Sequence, residues 1–409
     1  MNMPFKSDTL SQRMEHACYP IRELFPLSEE IRKTGAEIYN ASIGDPVPYL
    51  GTASYVVKAY RKALKEGKTS YCRPPGDFGF LDEIAKRYKR LYNLDIDSSK
   101  IFVTQGLSEA VAFLVESLMD KGRGAVLFNP YYPVYAPTVG LFGGTVVLSE
   151  LDEGHGWAPS KENLEEKIKN AKSAGMDLKF MLVNNPNNPT GSMFSRKYLE
   201  DVVEVAKNND LLIISDEIYD EIILVKEKMT CIGEVAKGVP HIIMNGLSKN
   251  WGGTGFRIGW VIMPEDDEGS KKLREGFTNL LSMRLCASTP AQLAGVEALS
   301  NAKAHRRYLK YIVKNIKERA EFMHKRLNEI NGVSCQKAKG AFYLFPKIDL
   351  SKTKFKNDKE FCTELLRKEH VWVTRGSGFG LDSHLRTTVL PPVDILEKVA
   401  QGIENLVRC

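Results

Sequence analysis

Nowhere in the 409 residues is there an apolar run near the ~18 residues that a membrane-spanning helix needs. The opening stretch, MNMPFKSDTLSQRMEHACYPIREL, has no continuous apolar core of the kind a secretory signal carries. Cysteine is sparse. The seven residues, Cys18, Cys72, Cys231, Cys286, Cys335, Cys362 and Cys409, are scattered and odd in number, with no CxxC pair and no metal-ligand spacing. That argues against a disulfide framework and a structural zinc site, and reduced thiols in a cytosol are expected. There is no Gly/Ser- or Pro-rich linker, internal repeat or low-complexity tract, so the domains should be tightly joined. Nor is there a block of one charge: the formal +6 is spread through interleaved segments such as KEGK, EEKIKN and KNIKER, which speaks against a nucleic-acid-binding stripe. The expectation is a soluble, cytoplasmic protein with small-molecule ligands, neither nucleic acid nor membrane.

What is present is an ordinary globular balance, 43% hydrophobic and 26% charged, over a length that suits two or three domains. Seven short apolar runs read as strands: 101–104, 125–128, 145–148, 180–183, 211–215, 242–245 and 258–263. Between them, Val111, Leu114, Val115 and Leu118 recur at helix spacing, as do Leu199, Val202, Val203 and Ala206. Strand-helix alternation of this kind predicts an α/β domain with a mostly parallel sheet between helices. After about Pro290 the pattern changes to a long charged helix over roughly 304–330, short strands such as 341–345, and a closing helix after Pro391-Pro392. This predicts a smaller α+β domain.

The most informative segment is NGLSKNWGGTGFRIGW, 245–260, in which Ser248, Lys249 and Arg257 surround a loop containing Gly252, Gly253 and Gly255. Glycines admit close backbone approach, and Ser, Lys and Arg together suit a phosphate with a reactive carbonyl attached. A nearby cation lowers a lysine's pKa and favours the free amine that a Schiff base requires. A dinucleotide fingerprint fails here because Ile258 stands where GxGxxG needs its third glycine. A solvated loop lysine is the plainer alternative.

Four other segments carry polar residues just after apolar runs. In TQGLSEA, 104–110, Gly106 precedes a helix whose start at Leu107 and Ser108 offers unpaired N–H groups to an anion, or else is a simple Ser108 cap. In NPYYPVY, 129–135, an aromatic ring is placed either to lie on a flat ligand or to join the core. VNNPNNPTG, 183–191, reads as a turn. LLIISDEIYDE, 211–221, reads as a buried strand ending in Asp216, either where α/β sheets bind ligands or as a helix N-cap.

The lysine segment resembles the S-x-K and GxRxG-like motif of fold-type I pyridoxal-phosphate aminotransferases, and the other segments follow in that family's order. The resemblance extends from SIGDP, 42–46, to LRTTVLPP, 385–392. It implies a large cofactor-binding domain over 51–300, with a seven-stranded sheet, and a small domain over 301–409. Residues 1–50 would contribute to the small domain and to a dimer contact. Lys249 would hold pyridoxal 5'-phosphate as an imine and move the substrate proton. Arg257, Ser248, Gly106, Leu107 and Ser108 would hold the phosphate, Tyr132 would stack on the ring, and Asn188 and Tyr219 would bond its phenolic oxygen. Asp216 would keep the ring nitrogen protonated, since an adjacent carboxylate raises that nitrogen's pKa. Many members have a hydroxyl residue where this chain has Gly246.

For the substrate, the resemblance gives the α-carboxylate to Arg386, with Gly44 as a second contact and Asn188 nearby; arginine's fork matches a carboxylate. Tyr71 in YCRPPGDFG would reach the phosphate of the neighbouring subunit, implying a homodimer with shared sites. NGLSK, MRLCASTPAQ and HLRTTVLPP look like the alanine aminotransferase branch, implying exchange between L-alanine with 2-oxoglutarate and pyruvate with L-glutamate. Arg284, from its spacing to Pro290, would read a distal carboxylate across the dimer, which fits an aspartate or broad-specificity enzyme equally. A β-lyase type of reaction keeps the same cofactor. A non-catalytic regulator is the remaining alternative, although only about forty residues precede SIGDP.

Overall fold

In the computed structural model, which describes residues 10–408, an eight-stranded sheet runs through the middle of the chain. Cys409 and the first nine residues of the opening stretch lie outside the described residues. The strands are β1 (Ile101–Thr104), β2 (Arg123–Asn129), β3 (Thr145–Asp152), β4 (Ala158–Pro159), β5 (Asp177–Asn184), β6 (Leu212–Asp216), β7 (His241–Gly246) and β8 (Gly259–Ile262). Their spatial order is β1-β8-β7-β6-β5-β2-β3-β4. Pairings from β3 through β2, β5 and β6 to β7 are parallel, while β8 runs against both neighbours and β4 against β3. The sheet thus has one strand more than the seven expected. The extra β4 is two residues long and contains a proline, so no alternation could reveal it.

Successive side chains of a strand face opposite sides, so the sheet feeds two cores. Phe180, Leu182, Ile214 and Met244 pack with Val111, Leu114 and Val115 of a helix on one side. Met181, Val183, Ile213 and Ile243 pack on the other with Ile84 and Tyr88 of α1 (Phe78–Tyr92), while the first helix is α2 (Leu107–Leu118). Leu199, Val202 and Ala206 of α3 (Arg196–Asn208) share that second core. A third core gathers Ile312, Ile316 and Met323 of α4 (Ala302–Asn328) with Leu396, Val399 and Ile403 of α5 (Val393–Val407). The long helix therefore starts and ends two residues earlier than the charge pattern suggested.

Ala41 and Leu50 belong to the third core, and Tyr39–Asn40 pairs in parallel with Val371–Trp372. The strand Leu385–Thr388, which carries Arg386, lies between Tyr343–Leu344 and Thr374–Arg375. Strands β1, β2, β5, β6 and β7 all end at one edge of the sheet, at Thr104, Asn129, Asn184, Asp216 and Gly246. Ligands of open α/β sheets collect outside such carboxyl ends. Among the described residues no helix is long and apolar enough to cross a membrane, and no acidic, His or Cys cluster could hold a metal ion.

Candidate active site

A cavity of about 460 Å³ opens over that edge, between the sheet and the strand carrying Arg386. Of the residues singled out from the sequence, Gly44, Leu107, Ser108, Tyr132, Asn188, Asp216, Tyr219, Ser248, Lys249, Arg257 and Arg386 line it. They come from segments more than 300 positions apart, which the parallel strand ends and the returning N-terminal segment bring together. Arg22, Lys249, Arg257 and Arg386 face it against only Asp45 and Asp216, so the cavity favours anionic ligands.

Lys249 follows β7 in a turn closed by the Gly252 N–H on its carbonyl, and its Nζ donates to the Gly44 carbonyl at 2.7 Å. Burial pulls the ammonium down to about 8; Asp45 and Asp216 oppose this, while Arg386 and Arg257 push the same way. Asp216, at the end of β6, has one oxygen accepting from the Tyr135 hydroxyl at 2.7 Å and the other from the Ile218 N–H at 3.1 Å. Burial pushes its carboxyl up to about 6, against the lowering effect of these hydrogen bonds and of Lys249. The chain after Asp216 makes turns and no helix, so Asp216 is not a helix cap.

At the start of α2, Gly106 adopts φ +75, and a Cβ there would collide with the Arg257 guanidinium. Backbone and arginine therefore lie as close as a glycine allows. Arg257 itself takes the left-handed φ of +54, an uncommon conformation for a residue with a side chain. Neither Ser108 nor any other side chain caps the helix; Glu109 accepts from the N–H of Gln105, just ahead of the helix, at 2.7 Å. Leu107 and Ser108, the first residues of α2, line the cavity.

Gly246 is fixed by space. A Cβ there would sit 2.6 Å from the Ile258 carbonyl oxygen and 3.0 Å from the Gly259 Cα, so this chain has no room for the hydroxyl residue of its look-alikes. Gly246→Ser should lower thermal stability, since overpacking of this kind costs about 1–3 kcal/mol. A variant that unfolds at the wild-type temperature would contradict this packing.

Arg386 is 1% exposed and has no carboxylate partner among the described residues. Its guanidinium donates to the Ser42 carbonyl, at 3.4 Å to the Asn188 side-chain oxygen and at 3.5 Å to Thr374, and its Nε has no partner. The Tyr343 and Phe379 rings lie 4.8 and 4.9 Å from it. A buried cation without a counter-charge is costly unless a ligand supplies one.

Three of the singled-out residues do not line the cavity. Gly106 stands just behind Arg257. Tyr71 is 79% exposed. Arg284 turns away from the cavity of its own chain, 3.1 Å from Glu109 and donating to the Val103 carbonyl at 3.0 Å. Conversely, several lining residues escaped the sequence reading. Tyr135 lies within NPYYPVY, yet nothing in that run distinguishes Tyr132 from the ring that bonds Asp216. The Tyr343 hydroxyl meets that of Tyr219 at 2.8 Å, and the Tyr19 hydroxyl meets that of Tyr132 at 3.0 Å. Arg22 carries no motif at all.

Comparison with known proteins agrees with this geometry. The family model for aminotransferase class I and II matches residues 43–403. Glutamate-pyruvate aminotransferase AlaA of Haemophilus influenzae is 32% identical, with 97% of each chain covered. An aspartate aminotransferase of Thermotoga maritima is 31% identical, with 94% of this chain and 96% of that one covered. Among solved structures, an alanine aminotransferase from Pyrococcus furiosus superposes with a TM-score of 0.92 at 35% identity, covering 98% of this chain and 99% of the other. With a cavity of this composition at the strand ends and a family match over almost its whole length, the chain belongs to the class I and II aminotransferases.

Proposed function

We propose that the cavity holds pyridoxal 5'-phosphate and that the enzyme exchanges the amino group between L-alanine with 2-oxoglutarate and pyruvate with L-glutamate. The observation that carries this reading is Arg386, a buried guanidinium lacking a carboxylate, in one cavity with Lys249 and Asp216. The residues fit the cofactor: Arg257 crowds Gly106 at the start of α2, Ser248 and Ser108 face the same space, and Asp216 waits at a strand end. Helix N-termini and arginine suit a phosphate.

When bound, the cofactor supplies an electron sink for the charge left on the substrate α-carbon. The protein residues do the rest. Lys249, whose buried amine is pulled down to about 8, would hold the cofactor covalently and would carry the proton of the substrate α-carbon. Asp216, oriented by the Tyr135 hydroxyl, would offer its carboxylate to the ring nitrogen. Asn188 and Tyr219 would bond the phenolic oxygen, and Tyr132 would stack on the ring; all three line the cavity. Arg386, with Gly44 and Asn188, holds the α-carboxylate common to all the amino acids concerned, which leaves the side chain to decide the donor. Tyr71, exposed here, serves the site of a second copy in a homodimer. The division into 51–300 and 301–409 belongs to the same proposal, supported by the third core and by the Tyr39–Asn40 strand that ties the N-terminal segment to it.

The names of the relatives favour alanine, with aspartate as the alternative donor. Initial rates with alanine and 2-oxoglutarate should give the parallel double-reciprocal lines of a ping-pong route. Intersecting lines, or a faster reaction with aspartate, would overturn the mechanism or the donor respectively. For the distal carboxylate of glutamate, Arg22 is the cavity arginine left over once Arg257 and Arg386 are assigned. Arg22→Ala should lower kcat/KM for glutamate about tenfold, the scale of one charge-assisted hydrogen bond, and leave alanine nearly unchanged. Such a selective loss in Arg284→Ala instead would give that role to the arginine of a second copy.

A further inference from the structure

Behind the cavity, away from any proposed ligand, lies a buried polar cluster. Asp220, 3% exposed, accepts at one oxygen from Asn250 Nδ2 at 2.6 Å and at the other from Arg87 Nη2 at 2.6 Å and the Tyr92 hydroxyl at 2.7 Å. Arg87 also meets Glu221 at 2.8 Å, and His305 meets Glu221 at 3.1 Å while stacking on Trp251 with ring centroids 4.6 Å apart. None of these residues borders the cavity.

Their neighbours in sequence do. Asp220 follows Tyr219 in the turn after β6, and Asn250 follows Lys249 in the turn after β7. These turns have no ladder between them, because β6 and β7 pair only as far as Asp216 and Met244. The bond from Asn250 to Asp220 is a direct tie between them, and Arg87 and Tyr92 anchor it to α1. A second tie, from Asn245 Nδ2 to the Glu217 carbonyl at 2.8 Å, lies nearer the strands. A carboxylate with three donors on it has little freedom to move.

We infer that the Asn250–Asp220 hydrogen bond is a positioning device for Lys249, holding the lysine-bearing turn in register with the turn that carries Asp216 and Tyr219. The inference rests on the proposed role of Lys249 as the reactive amine. It assigns Asn250 and Asp220 no contact with substrate or cofactor. Without the tie, the lysine turn is free to relax. Nζ then leaves the Gly44 carbonyl and its enclosed place among Asp45, Asp216, Arg257 and Arg386.

The test compares Asn250→Ala with Tyr92→Phe. The second removes a donor from the same carboxylate but leaves the tie to the lysine turn intact. In cofactor-free, full-length protein, labelling of Lys249 by an amine-acylating reagent is followed by mass spectrometry from about pH 7 to about pH 11. In the wild type the midpoint should lie near 8. Asn250→Ala should move it up towards the ordinary lysine value, and Tyr92→Phe should not, even where both lower the unfolding temperature. In the loaded enzyme, Asn250→Ala should lower kcat about 10- to 100-fold, the scale of a small misplacement of a reacting group, with KM within about twofold. An unchanged midpoint in Asn250→Ala, or an equal upward shift in Tyr92→Phe, overturns the inference. If Asn250→Ala does not fold, Asn250→Ser is measured in the same way. Because the labelling needs no cofactor, its failure is distinct from a failure of the wild type to take up pyridoxal 5'-phosphate.

Discussion

Lys249→Ala is expected to abolish transamination while leaving the apo protein as stable as the wild type at neutral pH, or more so. In the proposed reading the loss of activity is large because one side chain serves twice, as the covalent anchor and as the proton carrier. Proton transfer alone accounts for about 10²- to 10⁴-fold. The stability half of the result follows from the sign of the pKa shift. The buried amine titrates near 8, below the ordinary lysine value of 10.5, with desolvation as the main cause. Below about 8 the folded protein bears the full cost of a buried ammonium. Between the two values the unfolded chain binds more protons, so wild-type stability rises with pH and the cost fades. Thermal unfolding of both apo proteins at neutral pH and above the ordinary lysine value measures this. A Lys249→Ala protein that turns over, or one clearly less stable than wild type at neutral pH, would contradict the assignment.

Arg386→Lys is expected to lower kcat/KM for alanine and glutamate together by on the order of 10²- to 10³-fold. Losing one partner of a buried charge pair costs about 2–5 kcal/mol, and a lysine cannot reproduce the two parallel bonds of the guanidinium. The joint loss is the signature, because the α-carboxylate is common to both amino acids. Without substrate the sign reverses. A buried guanidinium with no carboxylate is a burden, so Arg386→Met should unfold no earlier than the wild type. A loss confined to glutamate would make Arg386 the distal-carboxylate residue and leave the α-carboxylate without a partner.

The sequence made legible what depends on local pattern. Seven apolar runs became seven strands of the sheet, because burial on both faces leaves few polar residues in them. Lys249 stands out by its glycine-rich surroundings and Asp216 by closing a buried strand, whereas Asn188 and Tyr132 could be singled out only through the family resemblance of their segments. Distances across the chain were not legible. That Tyr135, and not Tyr132, meets Asp216 depends on how the chain turns after β2. The spacing of Arg284 to Pro290 does not say which way its side chain points, and in its own chain it faces Glu109. Arg22 and Tyr343 reach the cavity only because the N-terminal segment returns to the C-terminal strands, a contact with no motif. The ion pairs of Arg87 with Asp220 and Glu221 span more than 130 positions and leave no trace in composition.

The central claim is that Lys249 and Arg386 face one cavity in which pyridoxal 5'-phosphate accepts an amino group from alanine or glutamate. Its most direct test is the absorbance spectrum of purified, cofactor-loaded protein before and after separate additions of L-alanine, L-glutamate and L-aspartate, without any keto acid. The account predicts a visible band from the lysine-bound cofactor that alanine and glutamate convert to the absorbance of the pyridoxamine form. No band in cofactor-supplied protein, or a band that only aspartate converts, would contradict it.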